Sequence, residues 1–368
     1  MSKTPKQIDH VAILPETVPF VGPEAQERAL GEVFAARIGA NENVFGPSPK
    51  AIEAIKSAAE DVWMYADPEA LELRKTLAEH HGVRPENIVI GGGIDNLLDC
   101  VTRIYVEPGV NVVTSAGAYP TFNFHVSATG GNLELVPFVN DYEDPSSLLA
   151  RAGEISAKLL YISNPDNPMG TFWNSEDMEK MISAIPDGCM MLLDEAYIDT
   201  APSGTAPPID VNNDQLLRFR TFSKAYGMAG SRVGYCIGEA GIIRRFEKVR
   251  NHFGMNRVAL EGALAALKDQ DYLVEVVGKI VDAREKIAEI AGKHGFKPIP
   301  SATNFVAMDC GRDSAYTLAL MKGLAERGVF IRMPGVEPLS RCIRISAGTT
   351  QDLQIFDDAL GEIIAEIG

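Results

Sequence analysis

Short apolar runs rich in β-branched residues alternate with stretches of helical spacing through the middle of the chain. "NIVI" (87–90) leads into three glycines, "IDNLLDCVTRIYV" spaces its apolar residues three and four apart, and "NVVTSA" (111–116) returns to a β-branched run. The alternation recurs: "KLLYIS" (158–163) predicts a strand, "SEDMEKMISAI" (175–185) a helix capped by Ser175, and "CMMLLDEAY" (189–197) a buried strand ending in acid. Strands separated by helices need parallel crossovers, so the pattern predicts an α/β fold with a mostly parallel central sheet flanked by helices. After about residue 235 the texture changes to long helices over "RVALEGALAALKD" and "VEVVGKIVDAREKIAEIAGKHG", then strands over "NFVAMDC", "VFIRM" and "CIRISAG". That predicts a smaller α+β domain. The first forty residues have scattered prolines and little periodicity, which suits an arm and a connection.

Composition narrows the function classes. The 368 residues are 46% hydrophobic and 23% charged, which is globular and not disordered, and the net charge of −16 opposes nonspecific binding to nucleic acid. Five scattered cysteines without a C-x-x-C pair fit a reducing compartment. The first twenty residues lack a signal-peptide core, and no run of about 18 apolar residues offers a membrane span. A cytoplasmic protein without a membrane or metal partner is expected.

Chemistry concentrates at strand ends. In "VIGGGIDNLLD" a strand feeds a glycine turn and a helix N-terminus, which can hold a phosphate or can be only a tight turn. A nicotinamide-binding fingerprint would need glycine where Asn96 stands and an acid where Ser115 stands. Asp194 closes an apolar strand at the edge where ligands bind α/β sheets, although a structural acid could stand there too. "SNPDNPMG" (163–170) follows another strand and could be loop punctuation alone. In "TFSKAYGMAGSR" (221–232), Gly227 and Gly230 oppose a continuous helix and favour a loop that returns Arg232 to Ser223 and Lys224. A lone lysine is usually a solvated surface charge. Asn167, Asp194 and Lys224, however, follow successive strands about one βα unit apart and can converge on one sheet edge.

"NPDNPMG", "DEAY" and "SKAYGMAGSRVGY", in this order and spacing, resemble the class I/II aminotransferases of the fold-type I pyridoxal-phosphate enzymes. Further matches are "IGANENVFGPSP" (38–49), "YADPEALELRKTLAEHHGV" (65–83), "AYPTF" (118–122) and "CIRISAGT" (342–349), and the pattern is most similar to the histidinol-phosphate aminotransferase subgroup. The resemblance implies an N-terminal arm (1–30), a large cofactor-binding domain (45–262) and a small domain (31–44 and 263–368). It implies that Lys224 forms the Schiff base with pyridoxal 5′-phosphate and then moves the proton. Asp194 would pair with the pyridinium nitrogen, Tyr197 and Asn167 would reach the phenolic oxygen, and Phe122 would stack on the ring. Gly93, Ile94, Asp95, Thr221, Ser223 and Arg232 would hold the phosphate, joined by Tyr65 from the neighbouring subunit of a homodimer. Asn41, Arg344, Arg332 and Phe20 would face the substrate. The implied reaction is a ping-pong exchange between an amino donor and a 2-oxo acid, 2-oxoglutarate by analogy.

Three departures from the subgroup bear on the donor. Phe20 and Glu24 stand in "VPFVGPEAQE" where the subgroup has a hydroxyl and a cation, and Val44 stands where proline is usual. A carboxylate would repel a substrate phosphate, so an aromatic or hydrophobic amino acid competes with histidinol phosphate as donor. Arg250, His252 and Arg257 form either a different anion clamp or a solvated helix start. A decarboxylase or lyase on the same scaffold also stays open, because the cofactor residues do not select the bond that breaks. A nicotinamide oxidoreductase and a noncatalytic binding protein are disfavoured by Asn96 and Ser115, and by Lys224 and Asp194, respectively.

Overall fold

Seven strands form the main sheet of the computed structural model, which describes residues 4–16 and 20–367; residues 1–3 and 17–19 of the expected arm lie outside the described residues. In chain order the strands of the protein are β1 (Ala36–Arg37), β2 (Ile88–Gly91), β3 (Asn111–Ser115), β4 (Asn132–Val136), β5 (Leu159–Ser163), β6 (Met190–Asp194), β7 (Leu216–Thr221), β8 (Gly234–Ile237), β9 (Lys297–Pro298), β10 (Phe305–Asp309), β11 (Val329–Phe330) and β12 (Cys342–Ser346). The large sheet runs β2-β8-β7-β6-β5-β3-β4. The β4, β3, β5, β6 and β7 pairings are parallel, and β8 runs antiparallel to both of its neighbours.

The apolar runs are continuous because both faces of the sheet are covered. Leu159 and Tyr161 of β5 pack with Leu97, Val101 and Phe122 on one face, while Leu160 and Ile162 pack with Leu148, Met178 and Met181 on the other. One acid just past β6 and two β7 arginines interrupt this pattern as a unit. Glu195 accepts from Arg218 at 2.5 and 3.0 Å and from Arg220 at 2.9 Å, all three being buried. Arg218 spends its remaining donors on the carbonyls of Pro207 and Pro208, both at 2.9 Å.

A second body of structure carries the sheet β12-β10-β9 and the pair β1-β11. Its core joins Ala36 and Ile38 to helices Gln270–Lys293, Ser314–Glu326 and Thr350–Ile367. Helix Arg257–Lys268 instead packs with helix Pro49–Ala58 and β2, where a Cβ on Gly262 would fall 2.7 Å from Ile55 Cγ1.

Two local expectations change. Asn174, not Ser175, caps helix Ser175–Ser183, since its side chain accepts from Asp177 N at 2.9 Å while Ser175 Oγ bonds Glu179 one turn on. "VFIRM" is a strand only over Val329–Phe330; beyond it, Arg332 makes an isolated bridge to Arg344 of β12.

Glu195→Ala is expected to destabilise the protein by about 3–5 kcal/mol, because two buried guanidinium groups lose their counter-charge. Equilibrium denaturation measures this, and a change near zero would contradict the account of the triad.

Candidate functional site

The carboxyl ends of β3, β5, β6 and β7 present Ser115, Ser163, Asp194 and Thr221 along one edge of the sheet. Asp194 is buried. Its Oδ2 accepts from Tyr161 Oη at 2.7 Å and its Oδ1 from Ala196 N at 2.9 Å. Burial nevertheless pushes its pKa up to about 7, and among the described residues no cation pairs with this carboxylate. Three residues on, Tyr197 Oη accepts from Asn41 Nδ2 at 2.9 Å, and the Lys224 ammonium lies 5.3 Å over the Tyr197 ring.

Lys224 sits where glycine geometry permits it. Gly227 has φ +68°, and a Cβ there would fall 2.5 Å from the Gly46 carbonyl, so only glycine lets the loop after β7 lie against residues 46–47. That approach brings Lys224 Nζ within 3.1 Å of the Asn41 carbonyl oxygen. Ser346 of β12 fixes Asn41 from behind: its Oγ accepts from Asn41 N at 3.0 Å and donates to Asn41 Oδ1 at 3.1 Å.

An anion cradle lies at the other end of the loop. Arg232 returns its Nη1 to Ser223 Oγ at 3.2 Å, Ser223 and Thr221 hydroxyls lie 2.9 Å apart, and Arg232 Nη2 lies 3.6 Å from Asp95. The guanidinium rests on the Gly93 turn so closely that a Cβ on Gly93, at φ +86°, would fall 2.3 Å from Nη2. Helix Ile94–Tyr105 begins immediately after, so the first-turn N–H groups of Ile94 and Asp95 share this corner with the cation and both hydroxyls.

A second cationic corner joins the two bodies. Arg344 Nη1 donates to Asn167 Oδ1 at 2.5 Å, its guanidinium lies 5.1 Å from the Phe305 ring centre, and its Nε is buried without a partner. Arg332, paired with it through the backbone, lies between the Phe20 and Phe330 rings at 4.1 and 5.1 Å and donates to the Val21 carbonyl; its Nε is also buried and unpartnered. Burial lowers both pKa values, and Arg344 lowers that of Arg332 further. Two guanidinium groups brought together by a backbone bridge, each with an unpartnered Nε, have the chemistry to take an anion.

Phe122 is fully buried and stacked at 4.8 Å on Tyr161, the residue that bonds Asp194. The aromatic that reaches the site from that segment is Tyr119, whose Oη lies 3.4 Å from Asp95 Oδ2 and whose pKa is raised by burial and by the charge of Asp95. Tyr65, expected to serve a neighbouring subunit, is 78% exposed, with its ring tilted against Phe253 at 4.6 Å. Arg257 donates to the Tyr65 carbonyl at 2.8 Å and Arg250 pairs with Glu247 at 2.7 Å, which gives both a structural partner. Glu24 is paired with Arg37. Sequence reasoning missed Tyr161 and Ser346, one inside an apolar strand and the other two residues past Arg344; their roles exist only through strand neighbours. It also missed Tyr119, for which the signal was its place directly before Pro120 at the helix start.

The chain matches the family model described as aminotransferase class I and II over residues 36–360. It is 30% identical to a histidinol-phosphate aminotransferase of Moorella thermoacetica, over 99% of this chain and 95% of that protein. It is 32% identical to histidinol-phosphate aminotransferase 2 of Pseudomonas aeruginosa, over 93% of this chain and 92% of that one. Among solved structures, the histidinol-phosphate aminotransferase of Sinorhizobium meliloti in complex with pyridoxal-5′-phosphate superposes with a TM-score of 0.97 at 49% identity, covering all of both chains.

Gly93→Ala is expected to weaken binding of a phosphate-bearing cofactor by about tenfold or more, since the new methyl displaces Arg232 and strains the turn. Equilibrium dialysis measures it, and an unchanged affinity would remove the turn from the cradle.

Proposed function

The chain belongs to the class I and II aminotransferases and is a pyridoxal-phosphate enzyme of fold type I; from that premise we propose a histidinol-phosphate-type transaminase that passes its amino group to a 2-oxo acid, 2-oxoglutarate first. The observation that carries the reading is the convergence of Lys224, Asp194 and the Arg232 cradle with the Asn167–Arg344 pair. The residues fit the cofactor by their chemistry. A buried carboxyl short of a cation suits a pyridinium N–H, and the cradle's cation, hydroxyls and helix N–H groups suit a phosphate.

When bound, pyridoxal phosphate supplies an electrophilic carbonyl and a ring that takes up the electron pair released at the substrate Cα. This chain's residues do the rest. Lys224 anchors the carbonyl end and carries the proton at Cα. Asp194, ionised against the pyridinium, keeps that nitrogen protonated. Tyr197 and Asn167 donate to the phenolic oxygen, while Tyr119, and not Phe122, supplies the aromatic cover. Arg344 takes the anionic group next to Cα or its equivalent, Arg332 the more distant one, with Asn41 and Phe20 bounding the space.

The proposal keeps the arm at 1–30, the large domain at 45–262 and the small domain at 31–44 and 263–368. It also includes a homodimer: Val62, Trp63, Tyr65 and Phe253 are 65, 79, 78 and 53% exposed, an apolar surface that a second copy would cover while Tyr65 reaches that copy's phosphate. Among the described residues no helix is long and apolar enough to cross a membrane, and a cytoplasmic setting is part of the same reading.

The ion pair of Glu24 with Arg37 removes much of the repulsion that a substrate phosphate would meet there. One observation favours a second donor class: the Phe20 ring lies 4.1 Å over Arg332, an apolar wall that suits an aromatic amino acid. A half-reaction with histidinol phosphate, phenylalanine or tyrosine decides between them. Pyridoxamine phosphate and the matching carbonyl product are expected, fastest with histidinol phosphate, whereas carbon dioxide release would replace transamination by decarboxylation. Arg344→Ala is expected to lower kcat/KM by about 100-fold or more with cofactor still bound, through loss of a charge-assisted pair; unchanged kinetics would remove Arg344 from the site.

A further inference from the structure

Behind Asn167 lies a pair of acids that no step above uses. Glu143 and Asp166 are both buried, at 2% exposure each, and lie within hydrogen-bonding reach of one another. Glu143 is stitched to the ends of two neighbouring strands: Oε2 accepts from Ser115 Oγ of β3 at 2.6 Å, and Oε1 from Ser163 N and Oγ of β5 at 3.0 and 2.8 Å. Asp166 Oδ2 accepts from Met169 N at 2.8 Å, which folds the turn that carries Asn167. Asp166 Oδ1 is buried and receives no hydrogen bond from an N–H or another residue's hydroxyl. Among the described residues no cation pairs with either carboxyl; Asp166 does feel the charge of Arg344, already bonded to Asn167.

Two ionised carboxylates cannot share a dry space without a cation, and a buried oxygen with no donor is costly. A single proton between Asp166 Oδ1 and Glu143 resolves both. We propose that Glu143 and Asp166 hold one shared proton, and that this acid–carboxylate pair is a positioning element that fixes the Asn167 turn against Arg344. Desolvation raises the pKa of both groups; the charge of Glu143 and its contact raise that of Asp166 further, while the contact with Asp166 lowers that of Glu143, which puts the shared proton on Asp166. The other groups that face the pair are the hydroxyls of Ser115 and Ser163, and the charge of Glu143 reaches Asp194 of β6 and Tyr161 of β5, raising the pKa of each.

The sign of the pH effect follows. An acid kept protonated in the folded chain, but ionised when unfolded, adds stability that drains away as pH rises from about 4 toward its folded pKa. Asp166→Asn and Glu143→Gln each replace the shared proton by a permanent N–H. Melting of the holoenzyme between about pH 5.5 and about pH 8.5 is therefore expected to show each variant gaining on the wild type as pH rises. The holoenzyme keeps Asp194 ionised against the pyridinium in all three proteins, so the difference reports the pair, most cleanly in D166N, which leaves the Glu143 carboxyl in place. Parallel wild-type and variant curves would overturn the shared proton.

The kinetic arm rests on the transaminase reading, which the melting arm does not need. D166N is expected to keep kcat/KM within about threefold of wild type, while D166A, which loses the acceptor for Met169 N, lowers it by about tenfold or more with cofactor retained. If D166N is as impaired as D166A, or D166A is unimpaired, the positioning role falls; if D166A does not fold, D166N alone decides it.

Discussion

A carboxyl buried at the end of an apolar strand stays ionised only against a cation, and Asp194 is where this chain accepts that constraint. Tyr161 and the Ala196 N–H hold its two oxygens but bring no positive charge, and its pKa stands near 7 for that reason. The surrounding fold directs a cation to it. β5 contributes Tyr161, Phe122 stacks under that ring, and β6 delivers the carboxyl itself. One residue beyond, the chain turns Glu195 toward Arg218 and Arg220 of β7, so a buried ion group ties the end of β6 to the strand that leads to Lys224.

The site is assembled across the two bodies. Asn41, from the segment after β1, offers its carbonyl to Lys224 and its amide to Tyr197, while Ser346 of β12 holds it in place. Arg344 of the same strand reaches Asn167 on the turn after β5. A further clamp lies just outside: Arg341 donates to both oxygens of Asp141 at 2.8 and 3.0 Å and to Asp309 at 2.9 Å. Lys224 and Arg344 each bond across to the other body, so a shift between the bodies moves Arg344 relative to Lys224.

The parallel sheet was legible because its strands are buried on both faces and read as uninterrupted apolar runs. The antiparallel placement of β8 was not, since antiparallel pairing leaves no mark on a four-residue apolar run. Within the site, Lys224, Asp194, Asn167 and Arg232 follow strand ends and glycine turns, which sequence exposes. Phe122 and Tyr119 lie three residues apart at one helix start, and only packing decides which ring is buried, so the sequence could not tell them apart. Tyr161, Ser346 and the Glu143–Asp166 pair act through residues distant in the chain, and periodicity carries no information about such partners.

The central claim is that Lys224 is the residue to which the cofactor carbonyl binds. Borohydride reduction of the protein loaded with pyridoxal phosphate, followed by peptide mass mapping, tests it most directly. The account predicts one phosphopyridoxyl adduct, on Lys224, which disappears in Lys224→Ala; an adduct on another lysine, or none, would contradict it.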